Sequence, residues 1–431
     1  MSDAKDTTPN SRRYAWFVLI MMVLLYFINY ADRTLANALL EKIKETYQVS
    51  DTYMGFVIGP AFAFVYCLAA IPIARFADRN NRVRIIAAGA VVWSLFTVLS
   101  GLAKTPEIFA LSRFGVGIGE AAFLAPAYSL LSDYFPPKKR AFAFAIMNLG
   151  VYFGGAFGNI GGTTIAAIYD WHTAFLWLGA PGILLAVLTV VFVKEPKRGR
   201  LDEGYDSSKK QVDFKATYKF LMTSKAFKSL TIAAFFGGFS TIAFGSWAVA
   251  MFERIFDISN QSAGARYGTA ALLAGMAGVL LMGFLCDQLS KKYNRAPYIL
   301  SASGLLGFTI ITIGMCFSKD VGLATALVYP ASILGAGWVV AVQAALQDLL
   351  PAELRATATS IWAFALTFAG LVLGVLVVGW INDYFSSQYG ADAIRYSMAL
   401  TLMGGIPAAW YINKAGETAE KDRQFLQQSL S

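Results

Sequence analysis

Glu195–Ser224, EPKRGRLDEGYDSSKKQVDFKATYKFLMTS, is the one long polar stretch in a chain of 431 residues, and it lies near the middle. On either side the sequence consists mostly of apolar runs as long as the roughly 20 residues a helix needs to cross a bilayer. Six precede it, near 14–40, 53–77, 83–104, 106–134, 139–168 and 172–194; six follow, near 225–256, 262–289, 295–316, 321–350, 354–384 and 392–414. With 57% apolar residues, 15% charged residues and a mean hydropathy of +0.53, the chain is not a water-soluble globule. The expected fold is an all-α membrane protein, twelve transmembrane helices in two pseudo-symmetric six-helix bundles at 14–194 and 225–414. The polar stretch 195–224 is then a linker, with a short amphipathic helix near Phe214–Met222 on the membrane surface, and 1–13 and 415–431 are polar ends.

The first run is too long, and lacks the small-residue cleavage site, for a removable signal peptide. Twelve spans put both ends of the chain on one side, and the distribution of Lys and Arg says which. Of 36 such residues, 27 fall in the ends, the linker and the even-numbered loops, and only Arg33 and Arg113 fall inside spans. The positive-inside rule makes that side cytoplasmic. The same bias accounts for the net charge of +9 without a nucleic-acid partner.

The halves repeat. Tyr47-Gln-Val-Ser50 matches Phe256-Asp-Ile-Ser259, the same offset carries Asp78 onto Asp287, and Asp133, Pro136 and Arg140 recur as Asp348, Pro351 and Arg355. The loop ARFADRNNRVR (Ala74–Arg84) and its weaker copy GFLCDQLSKK (Gly283–Lys292), with those repeated Asp-x-x-Pro-x-x-x-Arg loops, resemble the signature of the major facilitator superfamily. Within it, NYADRT (Asn29–Thr34), LSRFGVGIGEA (Leu111–Ala121) and SDYFPPKKRA (Ser132–Ala141) resemble the Spinster family and its bacterial relatives most. Organic-anion symporters share part of this pattern. Ala74 departs from the glycine with which the superfamily loop usually begins.

Charged side chains inside a span are costly, and they mark a polar interior. Asp32, Arg33, Arg113 and Glu120 qualify clearly. Arg113 and Glu120, seven apart, share a helix face, whereas Asp32 and Arg33 point about 100° apart. Low dielectric favours a neutral glutamate while a nearby arginine favours the charged one, so Glu120 can change charge with access and occupancy. Glu120, with Asp32 and Arg113 tuning its field, is the expected proton-coupling group. Arg33 is the expected ligand for an anionic headgroup, on a stripe with Tyr26, Asn29 and Asn37. Spinster resemblance implies that Asp32, Arg33 and Glu120 take part in coupling and recognition. The competing reading is two ion pairs that only fasten the first helix to the fourth.

The second half has no buried charge at the repeat positions, where Thr241 and Ile242 replace Asp32 and Arg33. An apolar wall of Phe235, Phe239, Phe244 and Trp247 would suit the tail of an amphiphile. Asp78, Arg79, Arg82, Asp133 and Arg140 are expected to form a cytoplasmic gate. Gly150, Gly154, Gly158 and Gly162 recur every fourth residue, a line of bare backbone expected to receive another helix, with the eighth as the proposed neighbour. Cys67, Cys286 and Cys316 lie in apolar runs and read as packing residues. His172 reads as a polar cap, and neither metal-ligand spacing nor a nucleophile motif is found.

These features imply a secondary active transporter rather than an enzyme, without a cofactor. It would move an amphipathic lipid-like solute such as a lysophospholipid or sphingosine phosphate, driven by protons, as a monomer in a bacterial inner membrane. A symporter of small organic anions such as sugar acids is the alternative within the class. A membrane enzyme or receptor is the alternative outside it.

Overall fold

The computed structural model describes residues 11–201, 214–350 and 352–428. The helices in chain order are α1 Arg12–Ala38, α2 Leu40–Tyr47, α3 Asp51–Ile58, α4 Pro60–Ala77, α5 Arg82–Leu102, α6 Pro106–Glu120, α7 Leu124–Tyr134, α8 Pro137–Ala156, α9 Gly162–Ile168 and α10 Trp171–Phe192. They continue as α11 Phe214–Leu221, α12 Lys225–Phe256, α13 Asn260–Ser290, α14 Ala296–Cys316, α15 Val321–Leu349, α16 Ala352–Thr367, α17 Val375–Tyr389, α18 Ala393–Leu402 and α19 Gly405–Gln428. No strand occurs among the described residues. Among the described residues ten helical stretches long and apolar enough to cross a membrane are separate, and an eleventh, Thr357–Phe425, is a helical run of 69 residues. At about 1.5 Å per residue that run would be some three bilayers long, so it has to double back. It does so at Gly390, whose φ of +55° is open to glycine and strained for other residues. The expected Phe214–Met222 helix forms as α11; Pro351 of the repeated loop lies outside the described residues.

Helix starts follow local chemistry. Ser11, Thr105 and Asp170 accept backbone N–H groups at the starts of α1, α6 and α10, as Ser224, Ser259 and Asp320 do at α12, α13 and α15. Large apolar side chains such as Leu68, Leu111, Leu184, Val191, Leu280 and Ile310 stay exposed. In a membrane-spanning chain these faces meet lipid rather than water.

The chain divides into two compact units, Met1–Gln48 with Ala61–Lys209, and Val49–Pro60 with Lys210–Ser431. In the first, the glycine line packs on α1: a Cβ at Gly154 would meet the Phe27 carbonyl, at Gly158 Thr34 and at Gly162 Leu35. The helix that this line receives is the first, where the sequence suggests the eighth. Wide π turns at Phe157–Gly161 and Phe368–Gly374 interrupt the fifth and eleventh spans. In the second unit the repeat reproduces the contact, with Gly238 against the Leu366 carbonyl and Gly370 against Ile242.

Residues 49–60 pack with the second unit, a division that hydropathy alone does not show. Gly55 and Gly59 bring the α3 backbone against the Val375 and Leu371 carbonyls. The Asp383 carboxylate accepts N–H groups of Asp51 and Thr52 at 3.0 and 2.7 Å, and Arg254 donates to both Asp51 oxygens at 2.5 and 2.7 Å.

Candidate functional site

All four intramembrane charges expected from sequence lie in the first unit, and the structure pairs them crosswise. Asp32 on α1 is fully buried; Arg113 Nη1 on α6 donates to its Oδ2 at 2.9 Å and Thr97 Oγ1 on α5 donates to its Oδ1 at 3.0 Å. Arg33, the next residue along α1, donates from Nε to Glu120 Oε2 at 2.5 Å. The roughly 100° between successive helical positions is what sends Asp32 and Arg33 to different partners.

Exposure separates the two pairs. Asp32 and Arg113 side chains are 1% and 2% exposed, whereas Arg33 is 20% exposed against a Glu120 at 0%. The Arg33 guanidinium lies 4.8 Å from both the Phe62 and Tyr66 ring centroids and 5.5 Å from that of Tyr30. Aromatic faces attract a cation without neutralising it. Arg33 is therefore the partly exposed member of the quartet, and Glu120 is shut behind it.

Around the quartet, several buried polar atoms have no protein partner: both amide atoms of Asn29, Nε1 of Trp93, Nε of Arg113 and Oε1 of Glu120. Buried polar groups are nearly always paired, so such a concentration has to be explained. Tyr26 is also buried, its ring 5.3 Å from Phe123 and 5.9 Å from Tyr30; Asn37 is half-buried nearer the other end of α1.

The remaining expected site residues separate. Phe235 and Phe239 are half-buried on α12, while Phe244 is buried against Phe308 and Tyr267. Trp247 is fully buried, donates to the Val375 carbonyl at 3.1 Å and has the Arg254 guanidinium over its ring. Both serve helix packing here. Of the expected gate, Asp78 and Arg79 are exposed. Arg82, 1% exposed, instead holds Asp133 and Glu195 at 2.6 Å each and the Ser129 carbonyl at 2.9 Å, all inside the first unit. Arg140 donates to the Ser132 and Phe135 carbonyls. His172 contacts the Gly101 carbonyl through Nδ1, and Cys67, Cys286 and Cys316 are unbridged. Among the described residues no group of three His, Cys, Asp or Glu side chains could hold a metal ion.

Sequence reasoning missed Thr97, which looks like any hydroxyl in an apolar helix, and Glu195, read as the first linker residue. It also missed Phe62 and Tyr66, whose stacked rings, 5.7 Å apart, bracket Arg33. Their i, i+4 spacing just after Pro60 was the available signal.

A buried crosswise quartet on two helices of a twelve-span protein matches the comparisons with known proteins. The profile described as Major Facilitator Superfamily matches residues 22–374. The chain belongs to that superfamily. It is 29% identical over 94% of its length to an MFS-type efflux pump of Mycolicibacterium smegmatis, of which it covers 94%. It is 25% identical over 86% of its length to the sphingosine-1-phosphate transporter SPNS2 of Danio rerio, covering 77% of that protein. The crystal structure of a bacterial homolog to the human lysosomal transporter Spinster, inward-facing and unoccupied, superposes with a TM-score of 0.87 at 28% identity, covering 96% of this chain and 99% of that one. The chain is thus a multi-pass integral membrane transporter, not an enzyme, resembling Spinster proteins, with a small-molecule substrate.

Proposed function

We propose that this superfamily member moves an amphipathic solute with an anionic or zwitterionic headgroup, of lysophospholipid or sphingosine-phosphate type, by proton-coupled alternating access. The observation that carries the reading is the Arg33–Glu120 pair, one partner partly exposed and the other sealed. A phosphate or carboxylate arriving at Arg33 competes with Glu120 for the same guanidinium. A proton arriving at Glu120 cancels its charge and weakens the same bond. Proton and headgroup then assist each other's binding, and the assistance is reciprocal. Asp32 keeps Arg113 neutralised behind this pair, so the net local charge is set by Glu120 and the solute. Tyr26 and Asn37 would line the headgroup region, and Phe235 and Phe239, half-buried on α12, remain candidates for tail contacts.

The similarity to a protein named for sphingosine-1-phosphate transport supports the amphiphile class. The Lys and Arg distribution supports both chain ends facing the cytoplasm, and a bacterial inner membrane is the expected location. Asp78, Arg79, Arg82, Asp133 and Arg140 remain the candidates for a cytoplasmic gate. A functional monomer is expected.

Purified protein in liposomes tests this. Imposed proton gradients should drive flux of a lysophospholipid or sphingosine phosphate, unchanged chemically, above that of a sugar acid or a neutral amphiphile of equal tail length. Flux of the sugar acid alone would transfer the reading to organic-anion symport. Flux indifferent to the gradient would remove proton coupling.

A further inference from the structure

Glu120 has two carboxylate oxygens, and Arg33 takes only one. Oε1 is buried without a protein partner. Asn29 lies one helical turn before Arg33 on α1, at the i, i+4 spacing that puts two side chains on one face. It is 1% exposed, and neither its amide oxygen nor its amide nitrogen has a protein partner. Across from them α5 and α6 touch at Trp93, whose backbone nitrogen would lie 2.4 Å from a Cβ at Gly119, next to Glu120. The Trp93 indole packs on Phe123 and its N–H is also unpartnered. Three helices thus bring unpaired donors and one unpaired amide oxygen to the level of a half-paired glutamate.

We propose that Asn29 is a positioning residue that receives Glu120 once Arg33 is engaged by the solute. A primary amide fits a neutral carboxyl group: its Nδ2 donates to the carboxyl oxygen while its Oδ1 accepts the acid's O–H. It does not fit a carboxylate equally, because Oδ1 can only face the charge. Asn29 therefore favours the protonated glutamate, as Arg33 favours the ionised one. The side chain alternates between two partners on one face of α1, and the proton chooses. Trp93 Nε1 is a further unpartnered donor nearby on α5.

Other groups face Glu120 as well: Arg33, Asp32 and Tyr30 from α1 and Arg113 from α6. Tyr26 on α1, Tyr66 on α4, Tyr128 on α7 and Tyr152 on α8 surround Arg33 and Tyr30 in turn. All remain in place when Asn29 is changed, so differences between Asn29 variants report the amide.

The inference rests on Glu120 as the proton carrier, and infrared difference spectroscopy of the full-length protein keeps the two ideas distinguishable. A protonated-carboxyl band that titrates in the wild type and vanishes in Glu120→Gln identifies the group. In Asn29→Leu the band should move to higher frequency, as a hydrogen bond to the acid is lost. It should also titrate about one pH unit lower, the equivalent of one hydrogen bond. Trp93→Phe, which removes only the indole N–H, should give a smaller displacement of the same band. Absence of any Glu120 band between acid and neutral pH overturns the proton-carrier reading and the Asn29 role with it. A titrating Glu120 band unmoved in frequency and midpoint by Asn29→Leu, in protein that melts like the wild type, overturns the Asn29 role alone. Should Asn29→Leu fail to fold, Asn29→Ser carries the same test: a Glu120 band that does not respond to it overturns the Asn29 role.

Discussion

Two clusters of buried arginine and carboxylate share the first unit, and they are completed differently. At the end where α1 begins, Arg82 reaches Asp133, Glu195, Ser129 and the Pro196 carbonyl, and Asp133 takes the Gly199 N–H on its other oxygen. No side-chain atom of Arg82 or Asp133 is among the buried unpartnered ones. In the middle of the bundle, Arg33 and Glu120 are joined by one bond, with unpaired donors and acceptors beside them. A network with every arm occupied can hold helices and has no reason to change. One with free arms has a second arrangement within reach. Completion of the hydrogen bonding, more than burial or charge, is what separates the two clusters, and it fits the coupling role proposed for Glu120.

The largest effect should come from spoiling the completed cluster. Arg82→Met leaves Asp133 and Glu195 without their cation in a buried setting, and removal of one partner from such a group costs about 3–5 kcal/mol. Thermal unfolding of purified protein should show a large fall in Tm. Glu120→Gln is the contrasting change, because the amide keeps the volume and an oxygen for Arg33 while removing the titration. It should fold and melt close to the wild type yet lose gradient-driven flux in liposomes. Gradient dependence surviving in Glu120→Gln would remove it from the coupling role. Equal loss of Tm in both variants would erase the distinction between the clusters.

Arg33→Ala comes next. A charge-assisted hydrogen bond contributes about 1.5–3 kcal/mol, so affinity for an anionic amphiphile should fall by roughly one to two orders of magnitude. A neutral amphiphile of the same tail should lose much less. Ligand-induced thermal stabilisation measures both, and equal losses would indicate that Arg33 only fastens α1 to α6.

The sequence was most informative where one physical cost dominates. Spans, the central linker and the repeat follow from hydropathy and residue spacing, and Asp32, Arg33, Arg113 and Glu120 are conspicuous because charge inside a bilayer is expensive. Pairing was less legible. Helical angles separate Asp32 from Arg33, yet which arginine takes which carboxylate depends on where α6 stands, and Gly115, Gly117 and Gly119 bring α6 close to α5 and α4, a placement the sequence does not spell out. Arg82 and Asp133 read as gate residues because loop charges carry no mark of their partner; that Glu195, just past α10, completes their pairing was not legible in the sequence. The place of residues 49–60 depended on Gly55 and Gly59, whose value lies in the neighbour they admit.

The smallest effect is expected at an exposed carboxylate outside the membrane spans, which sets a scale for the buried ones. Asp170 precedes α10 and accepts the Thr173 N–H at 2.6 Å, and this bond holds its carboxyl below the usual carboxylate value. A depressed value means that the folded state prefers the ionised form. The cap therefore stabilises fully above the unfolded value of about 3.9 and fades as pH falls through the folded one. Asp170→Ala should cost about 1 kcal/mol near neutrality, and its Tm deficit relative to the wild type should shrink at acid pH. Asp170→Asn caps without titrating, so its own advantage over alanine should not depend on pH. A deficit in Asp170→Ala that stays constant into acid would mean that the hydrogen bond stabilises without its charge. Solvent weakens the charge contribution here as it cannot at Glu120.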